Sequence, residues 1–325
     1  MSAIDAAVST LQQLADPADD FRADVLAGLM GSPKRISSKH LYDKRGSELF
    51  DRICELEEYY PTRCELEIMR RHSGEIAEQF AGPVHLVEFG SGSSLKTRLL
   101  LDHLDPCSTY LPVDVSREHL EASCDALRAE YPGLAIQPVC GDFTEPLPMP
   151  EGLDRSAPTV VYFPGSTIGN FEEAAAVGLL RNIREIAGED GQALIGVDLR
   201  KDAAVVHAAY NDREGVTAEF TKNLLRRINR ELRADFQLQD FDYHAHYNTH
   251  KGRIEAALVS RRDHRVSVDG QPVAFGRGEA IRTEYSHKYT IPQFAAMAER
   301  AGLELARQWN DTRRYFAVLL LRAAR

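Results

Sequence analysis

Val84 to Leu104 reads VHLVEFGSGSSLKTRLLLDHL, an unbroken apolar run, then a turn with glycines at 90 and 92, then helix-like sequence. A run with no polar alternation fits a strand buried on both faces, and such strands belong to parallel sheets covered by helices. The same rhythm continues to about Gly196 through TYLPVDVS, LAIQPVCGDF, TVVYFPGS and QALIGVDL. A parallel sheet with crossover helices follows. From Lys201 to about Glu284 the rhythm breaks. The helix-like TAEFTKNLLRRINREL gives way to short alternating runs, DFDYHAHYNTHKGRIEAALVSRR and HRVSVDGQPVAFGRGEAIRTEYS, so this stretch is expected to be an insertion. The last segment, AMAERAGLELARQWNDTRRYFAVLLLRA, predicts a helix stopped at Gly302 and a final hairpin that returns to the sheet. The first 80 residues read as helices and loops. Together with the insertion they are expected to form a second lobe over the mouth of the sheet. The expected division is a cofactor domain of 62–199 with 287–325 and a substrate-binding domain of 1–61 with 200–286.

In an open α/β sheet, ligands sit beyond the carboxyl ends of the strands, where a turn meets a helix N-terminus. Gly90 and Gly92 let the backbone bend tightly and approach a ligand with no Cβ in the way. A dinucleotide fingerprint needs a third glycine where this chain has Leu95, which weakens a pyrophosphate ligand and favours a nucleoside. Asp114, in LPVDVS, falls near the spacing at which an acid bonds both ribose hydroxyls. Asp142 and Phe143, in GDF, place an acid and a ring where adenine would lie. Each has a plainer reading: a structural turn for the glycines, a helix cap for Asp114, an Asx turn for Asp142. In this order they form the pattern of an S-adenosylmethionine (SAM) methyltransferase with a Rossmann-like seven-stranded sheet. Lys96 is a candidate for the cofactor's carboxylate, the alternative being a solvated surface lysine.

Charge and composition narrow the partners. The 325 residues carry a formal net charge of −10 with no long Lys/Arg run, which argues against nucleic acid. The five cysteines, at 54, 64, 107, 124 and 140, show no CxxC spacing, against a disulfide framework or a structural zinc. The opening MSAIDAAVSTLQQLADPADDF lacks a basic segment followed by an apolar core, and no apolar run approaches the roughly 20 residues that span a bilayer. A cytoplasmic enzyme with a small-molecule substrate, no membrane partner and a monomeric state is expected.

The fourth strand ends VVYFPGSTIGNF, at the position that faces the transferred methyl group in such enzymes. An asparagine in a Gly/Ser/Thr loop offers both a donor and an acceptor, so Asn170 is the leading substrate residue. Taken with VEFGSGSSLKT, PVDVS and FPGSTIGNF, the stretches HLYDKRGSELFDRICELEEYYPTRCE, VDLRKDAAVVHAAYNDREGVTAEFTKNLLRRIN and IRTEYSHKY closely resemble the histidine Nα-methyltransferases of ergothioneine biosynthesis. The resemblance runs from about residue 20 to nearly the end.

The resemblance implies residue roles. Tyr59 or its neighbour Tyr60, with Asn170 and Tyr210, would grip the α-amino and α-carboxylate groups, and Asn170 and Tyr210 would aim the attacking amine. Glu284 and Ser286 would recognise the imidazole, and Tyr42 would lie near the ring through water. Ala256 departs from the pattern: it stands where a larger, Met-type side chain is expected against the ring, which would widen the pocket. Without the resemblance, Tyr42, Tyr59 and Tyr60 read as amphipathic core residues and Glu284 as a surface strand residue. His244 and His246 share one strand face in YHAHYNTH and invite a metal. Methyl transfer from a sulfonium requires none, and no metal is expected. The implied reaction is SAM-dependent trimethylation of histidine to hercynine. The competing readings are an N-methyltransferase acting on another amino acid or amine, and a non-catalytic nucleotide-binding protein.

Overall fold

The computed structural model of the chain describes residues 17–91, 95–115, 117–147, 149–150, 152–154 and 156–324. These residues form two compact units. One holds the described residues up to Ile53 with Tyr210–His246 and Glu255–Glu284, and the other holds Cys54–Ala209, Tyr247–Ile254 and Tyr285–Arg325.

The larger unit is built on a sheet whose inner strands are the apolar runs of the sequence. β1 (His85–Phe89), β2 (Thr109–Asp114), β5 (Thr159–Phe163) and β6 (Gln192–Asp198) are buried nearly throughout. β1 lies between β2 and β5, all parallel, with Val87 level with Leu111 on one side and Val161 on the other. Beyond β6 the hairpin of β12 (Leu303–Asn310) and β13 (Phe316–Ala323) closes the sheet, with β13 antiparallel to both neighbours. The order is β12-β13-β6-β5-β1-β2, with a further, broken strand at the edge beyond β2.

The run LAIQPVCGDF, expected as one strand, is two short pieces, β3 (Ala135–Ile136) and β4 (Val139–Cys140), both parallel to β2. Pro138 lies between them. Proline has no N–H to give the ladder, so the pairing is interrupted there. Counted as one broken strand, this edge gives the seven-stranded architecture.

Helices cover the sheet. The helix Glu173–Ala187 sends Val177, Leu180 and Ile183 onto Val161, Phe163 and Ile195, and ends at Gly188 with φ +75°. The helix Ile291–Glu299 starts with a reciprocal cap: the Thr290 hydroxyl accepts from Gln293 N while the Gln293 side chain accepts from Thr290 N. The helix Tyr60–Ala77 also belongs to this unit, and its first residue is anchored to Asp198 at the end of β6.

The smaller unit contains the helix Lys44–Glu55 as far as Ile53, the helix Val216–Glu231 and the hairpin β9 (His264–Val268) with β10 (Gln271–Phe275). A third sheet, in the order β11-β8-β7, is made of Phe241–Asn248 (β7), Arg253–Ser260 (β8) and Ala280–His287 (β11). Each of its strands passes from one unit of the chain to the other, at His246/Tyr247, Ile254/Glu255 and Glu284/Tyr285. Among the described residues no helix is long and apolar enough to cross a membrane.

Candidate active site

The glycine turn opens at the carboxyl end of β1. Gly90 has φ +72° and donates its N–H to Val113 O at 2.9 Å, which ties the turn to β2. A side-chain carbon added at Gly90 would meet nothing within 4 Å, so the backbone there faces open space, although the positive φ itself favours glycine. Gly92 lies outside the described residues. Asp114 ends β2, half-buried, and its carbonyl accepts from Gly141 N at 3.0 Å. Asp142 makes the Asx turn of its plainer reading: Oδ1 accepts from Thr144 N at 2.9 Å and from Thr144 Oγ1 at 2.6 Å. That turn fixes Phe143, whose ring stacks on Phe89 (5.2 Å between centroids, 12° between planes) and meets Phe163 edge-on. Leu95 and Val115, which follow β1 and β2, are 49% and 51% exposed. Large apolar side chains exposed beside an open glycine and an acid suit a ligand with an apolar ring face and ribose hydroxyls. These residues therefore fit SAM.

Beneath the turn lies a buried polar layer. Glu88, in the middle of β1, accepts from Thr97 Oγ1 at 2.7 and 2.8 Å and from the Tyr110 hydroxyl. Burial pushes its carboxyl up to about 7, against the pull of the Tyr110 and Thr97 hydrogen bonds. Lys96 is not a solvated surface lysine. Its ammonium lies 2.5 Å from Glu65 Oε2, and Glu65, fully buried, also accepts from Gly165 N at 2.9 Å. Glu65 thus joins the helix after the glycine turn to the loop after β5.

That loop carries Asn170 at the end of a short 3-10 turn, Thr167–Asn170, entered through Gly165 (φ +76°) and Ser166 (φ +58°). Gly169 O accepts from His287 Nδ1 at 2.8 Å, so the proton is on Nδ1. The Arg253 guanidinium is 3.5 Å from His287 Nε2, and burial first, then this cation, hold the imidazole below its usual range. Arg253 itself is clasped by Glu172 at 2.8 Å and lies 3.6 Å over the Tyr285 ring.

The next two side chains of β11 and its extension, Ser286 and Lys288, point to the opposite side, toward Asp198. Lys288 Nζ donates to Ser286 Oγ at 2.7 Å and pairs with Asp198 at 2.7 Å, both charged groups being 1% exposed. Asp198 also pairs with Lys201, and Lys201 donates to the Tyr60 hydroxyl at 2.7 Å, which in turn donates to Asp198. Burial opposes the Asp198 charge, but Lys288 and Lys201 outweigh it and keep the carboxyl below its usual range. Tyr60 is thus a buried strut. Tyr59, half-buried, precedes the helix, and its carbonyl accepts from Arg63 at 3.1 Å.

Within the smaller unit, Tyr210 ends the helix Ala203–Tyr210, and its carbonyl accepts from the Tyr243 hydroxyl at 3.0 Å. Burial raises the Tyr243 phenol well above its usual range, and the charge of Glu284 adds to this. Tyr210, Tyr243 and Glu284 therefore form one group. Asp212 accepts from Val216 N and Thr217 N, fixing the helix that follows. Tyr42 is 38% exposed and packs edge-on against Phe50 and Phe220, both at 5.4 Å. Ala256 is buried and its carbonyl accepts from Thr283 Oγ1. His244 and His246 are exposed, with His246 Nε2 3.7 Å from Glu255, and among the described residues no three metal-ligating side chains converge.

Residues 21–323 match the family model of the histidine-specific, SAM-dependent methyltransferases. The chain belongs to that family. This methyltransferase is 41% identical over 299 residues to the histidine N-alpha-methyltransferase of Mycolicibacterium smegmatis, covering 90% of this chain and 92% of that one. It is 32% identical over 301 residues to the ergothioneine biosynthesis protein 1 of Neurospora crassa, which it matches over 90% of its own length and 33% of the longer protein. The L-tryptophan methyltransferase of Psilocybe serbica is 27% identical to it, with 93% of each chain covered.

The methyltransferase takes SAM as its cofactor. The polar side chains behind its expected site residues (Glu65, Glu88, Asp198, Lys288 and Tyr243) have no sequence signature of their own. One signal was available: Glu88, Asp198 and the ends of the strands that carry them are acids inside apolar runs, where only a partnered carboxylate is tolerated.

Proposed function

We propose that the enzyme trimethylates the α-amino group of histidine, giving hercynine for ergothioneine biosynthesis. The observation that carries this reading is the placement of Asn170. β1 and β5 are adjacent and parallel, so the glycine turn and the Asn170 turn leave neighbouring strands at the same edge of the sheet. An amine held by Asn170 then lies beside the cofactor's site. When bound, SAM supplies an electrophilic methyl group on a sulfonium.

The chain's own task is to hold a neutral amine with its lone pair in line, since orientation supplies much of the barrier reduction in a displacement. A free α-amine has a pKa of about 8, so the neutral form is available without a strong base. Asn170 and Tyr210 accept the amine's hydrogens and grip the carboxylate with Tyr59. The Tyr60 hydroxyl, engaged by Asp198 and Lys201, leaves Tyr59 for this role. Glu284 and Ser286, two apart on one strand face, take the imidazole, and Tyr42 reaches the ring through water. Gly90, Gly92, Asp114, Asp142, Phe143 and Lys96 hold the cofactor.

Incubation with histidine and methyl-labelled SAM, read by mass spectrometry, tests the reading. Three labelled methyl groups on the α-nitrogen are expected, and no labelled product from histidine would refute it. A second reading, methylation of a larger aromatic amino acid, draws on Ala256, whose small side chain is buried where the resemblance implies a larger one. A tryptophan arm in the same experiment decides between them.

A further inference from the structure

Glu65 is a carboxylate among the buried residues of the helix Tyr60–Ala77, with Cys64, Leu66, Ile68 and Met69 as buried neighbours in sequence, and its exposure is 0%. A charge in such a place needs partners. Oε2 lies 2.5 Å from Lys96 Nζ and accepts from Gly165 N at 2.9 Å, while Oε1 is 3.1 Å from the same N–H. β6 closes in on it as well: a side-chain carbon on Gly196 would collide with Oε1. The carboxylate is thus fixed by the fold, and the lysine comes to it. We propose that Glu65 is a positioning residue for the cofactor, holding the Lys96 ammonium ready, with its charge balanced, for the carboxylate of the cofactor's amino-acid tail.

The inference rests on the reading that Lys96 takes that carboxylate. An ammonium has three N–H groups and the contact with Glu65 needs one, so the same lysine is able to hold a second carboxylate. A loose lysine side chain must give up its rotamer freedom when it grips a ligand. Glu65 has already taken that freedom away, which removes the cost from the binding step. The balance of charge matters too. The tail is a zwitterion and SAM adds a sulfonium, so a lone lysine would repel two cations while it attracts one carboxylate. With Glu65 at contact distance the pair is close to neutral at longer range, and the ammonium still donates to a carboxylate that touches it.

The neighbouring buried groups have other commitments. Glu88 accepts from the Thr97 and Tyr110 hydroxyls, and Lys96 and Glu65 act on it through their charges, in opposite directions. The Tyr162 phenol, raised well above its usual range by burial and then by the charges of Glu65 and Glu88, stays neutral. Glu65 is therefore the acid in contact with Lys96. It serves two segments at once, the helix Leu95–Leu101 that follows the glycine turn and the loop that leads to Asn170. In Glu65→Gln the new NH2 group has to face either Lys96 or Gly165 N, both of them donors, and the charge that balances Lys96 is gone.

The test compares two ligands that differ by the tail: S-adenosylhomocysteine, which is SAM without the transferred methyl group, and methylthioadenosine, which lacks the amino-acid end. The ratio Kd(methylthioadenosine)/Kd(adenosylhomocysteine), measured by calorimetry, isolates what the tail contributes. Glu65→Gln should lower that ratio about tenfold, the size of the cost of ordering one lysine side chain, with methylthioadenosine binding within about twofold of the parent. A ratio that stays or rises overturns the proposal, including the case in which both ligands weaken together, which marks Glu65 as structural alone. Lys96→Met separates the two levels, and there the ratio should fall at least as far. If it falls in Lys96→Met and not in Glu65→Gln, only the positioning role fails. If Lys96→Met leaves it unchanged, the Lys96 reading falls and takes the proposal with it. Should Glu65→Gln not fold, Glu65→Asp draws the carboxylate back by one methylene and should lower the ratio as well, and an undiminished ratio there counts against the proposal.

Discussion

Gly169 and His287 are in backbone contact: a side-chain carbon on Gly169 would sit 2.8 Å from His287 O and 3.2 Å from His287 N, while the His287 ring donates to Gly169 O at 2.8 Å. The residue after Gly169 is Asn170. The turn that carries it is thus pressed against the strand extension that carries Ser286 and Lys288, and has no slack to absorb a methyl group.

Gly169→Ala should therefore act through position. Overpacking of this kind costs about 1–3 kcal/mol of stability, and displacing a group that aims the nucleophile by about 1 Å costs on the order of a hundredfold in rate. Turnover of histidine should fall between ten- and a hundredfold, with SAM affinity by calorimetry within about twofold of the parent. Full turnover in a folded Gly169→Ala protein would show that Asn170 does not aim the amine.

Asp114→Ala should weaken SAM binding by the value of a charge-assisted hydrogen-bond pair, about 1.5–3 kcal/mol, or roughly ten- to a hundredfold. Calorimetric titration measures it directly. Asp114 is at the end of its strand, and the bond from Gly141 N goes to its backbone carbonyl, which the substitution leaves in place.

Glu88 predicts a pH dependence of stability. Its carboxyl titrates near 7 in the fold against 4.5 in an ordinary environment, with burial as the main cause. Between those values the folded chain holds more protons than the unfolded one, so stability falls as pH rises from about 4.5 to 7 and then levels. Glu88→Gln removes this loss. The stability difference, variant minus parent, should grow by up to about 3 kcal/mol between pH 5 and pH 8 in urea melts. A difference that stays constant with pH would mean that Glu88 titrates normally.

The neighbouring tyrosines should separate cleanly. Tyr60→Phe removes a hydroxyl that accepts from Lys201 and donates to Asp198, leaving buried charged groups short of a partner, for about 1–3 kcal/mol of stability. Its KM for histidine should change little once the protein is folded. Tyr59→Phe should do the reverse, raising KM several-fold at unchanged melting temperature. If the two phenotypes are exchanged, Tyr60 is the substrate tyrosine.

These cases mark what the sequence makes legible. The sheet was readable because both-face burial writes continuous apolar runs, and β1, β2, β5 and β6 fall where those runs are. Pro138 carried its own warning, and the split of that edge into β3 and β4 is its consequence. Gly90 was readable because a positive φ at the end of a strand needs glycine. Lys96 was ambiguous, since its partner Glu65 lies a helix away in sequence and only folding brings the two to 2.5 Å. Lys201 and Lys288 were invisible for the same reason, and Asp198 showed only as an acid closing an apolar run: a buried charge is defined by its partners, and these come from separate segments. In YHAHYNTH the histidines drew attention, yet it is Tyr243 beside them that touches Tyr210.

Glu284 is where specificity should be tested last. Its side chain is half-buried, and its charge adds to the burial that raises the Tyr243 phenol. A ligand ring that offers it an N–H gains a charge-assisted hydrogen bond, worth about 1.5–3 kcal/mol, that a ring without one forgoes. That contact is made equally in the ground and transition states, so Glu284→Ala should raise KM for histidine about ten- to a hundredfold and change kcat only a few-fold. Asn170→Ala should instead depress kcat, because it aims the reacting nitrogen. The Glu284 change should also narrow the gap between histidine and tryptophan, since the penalty for a ring with the wrong hydrogen-bond pattern disappears with the carboxylate. Kinetics of both variants on histidine, tryptophan and histamine measure this. If Glu284→Ala still discriminates against tryptophan as strongly as the parent does, the acid supports the wall without reading the ring.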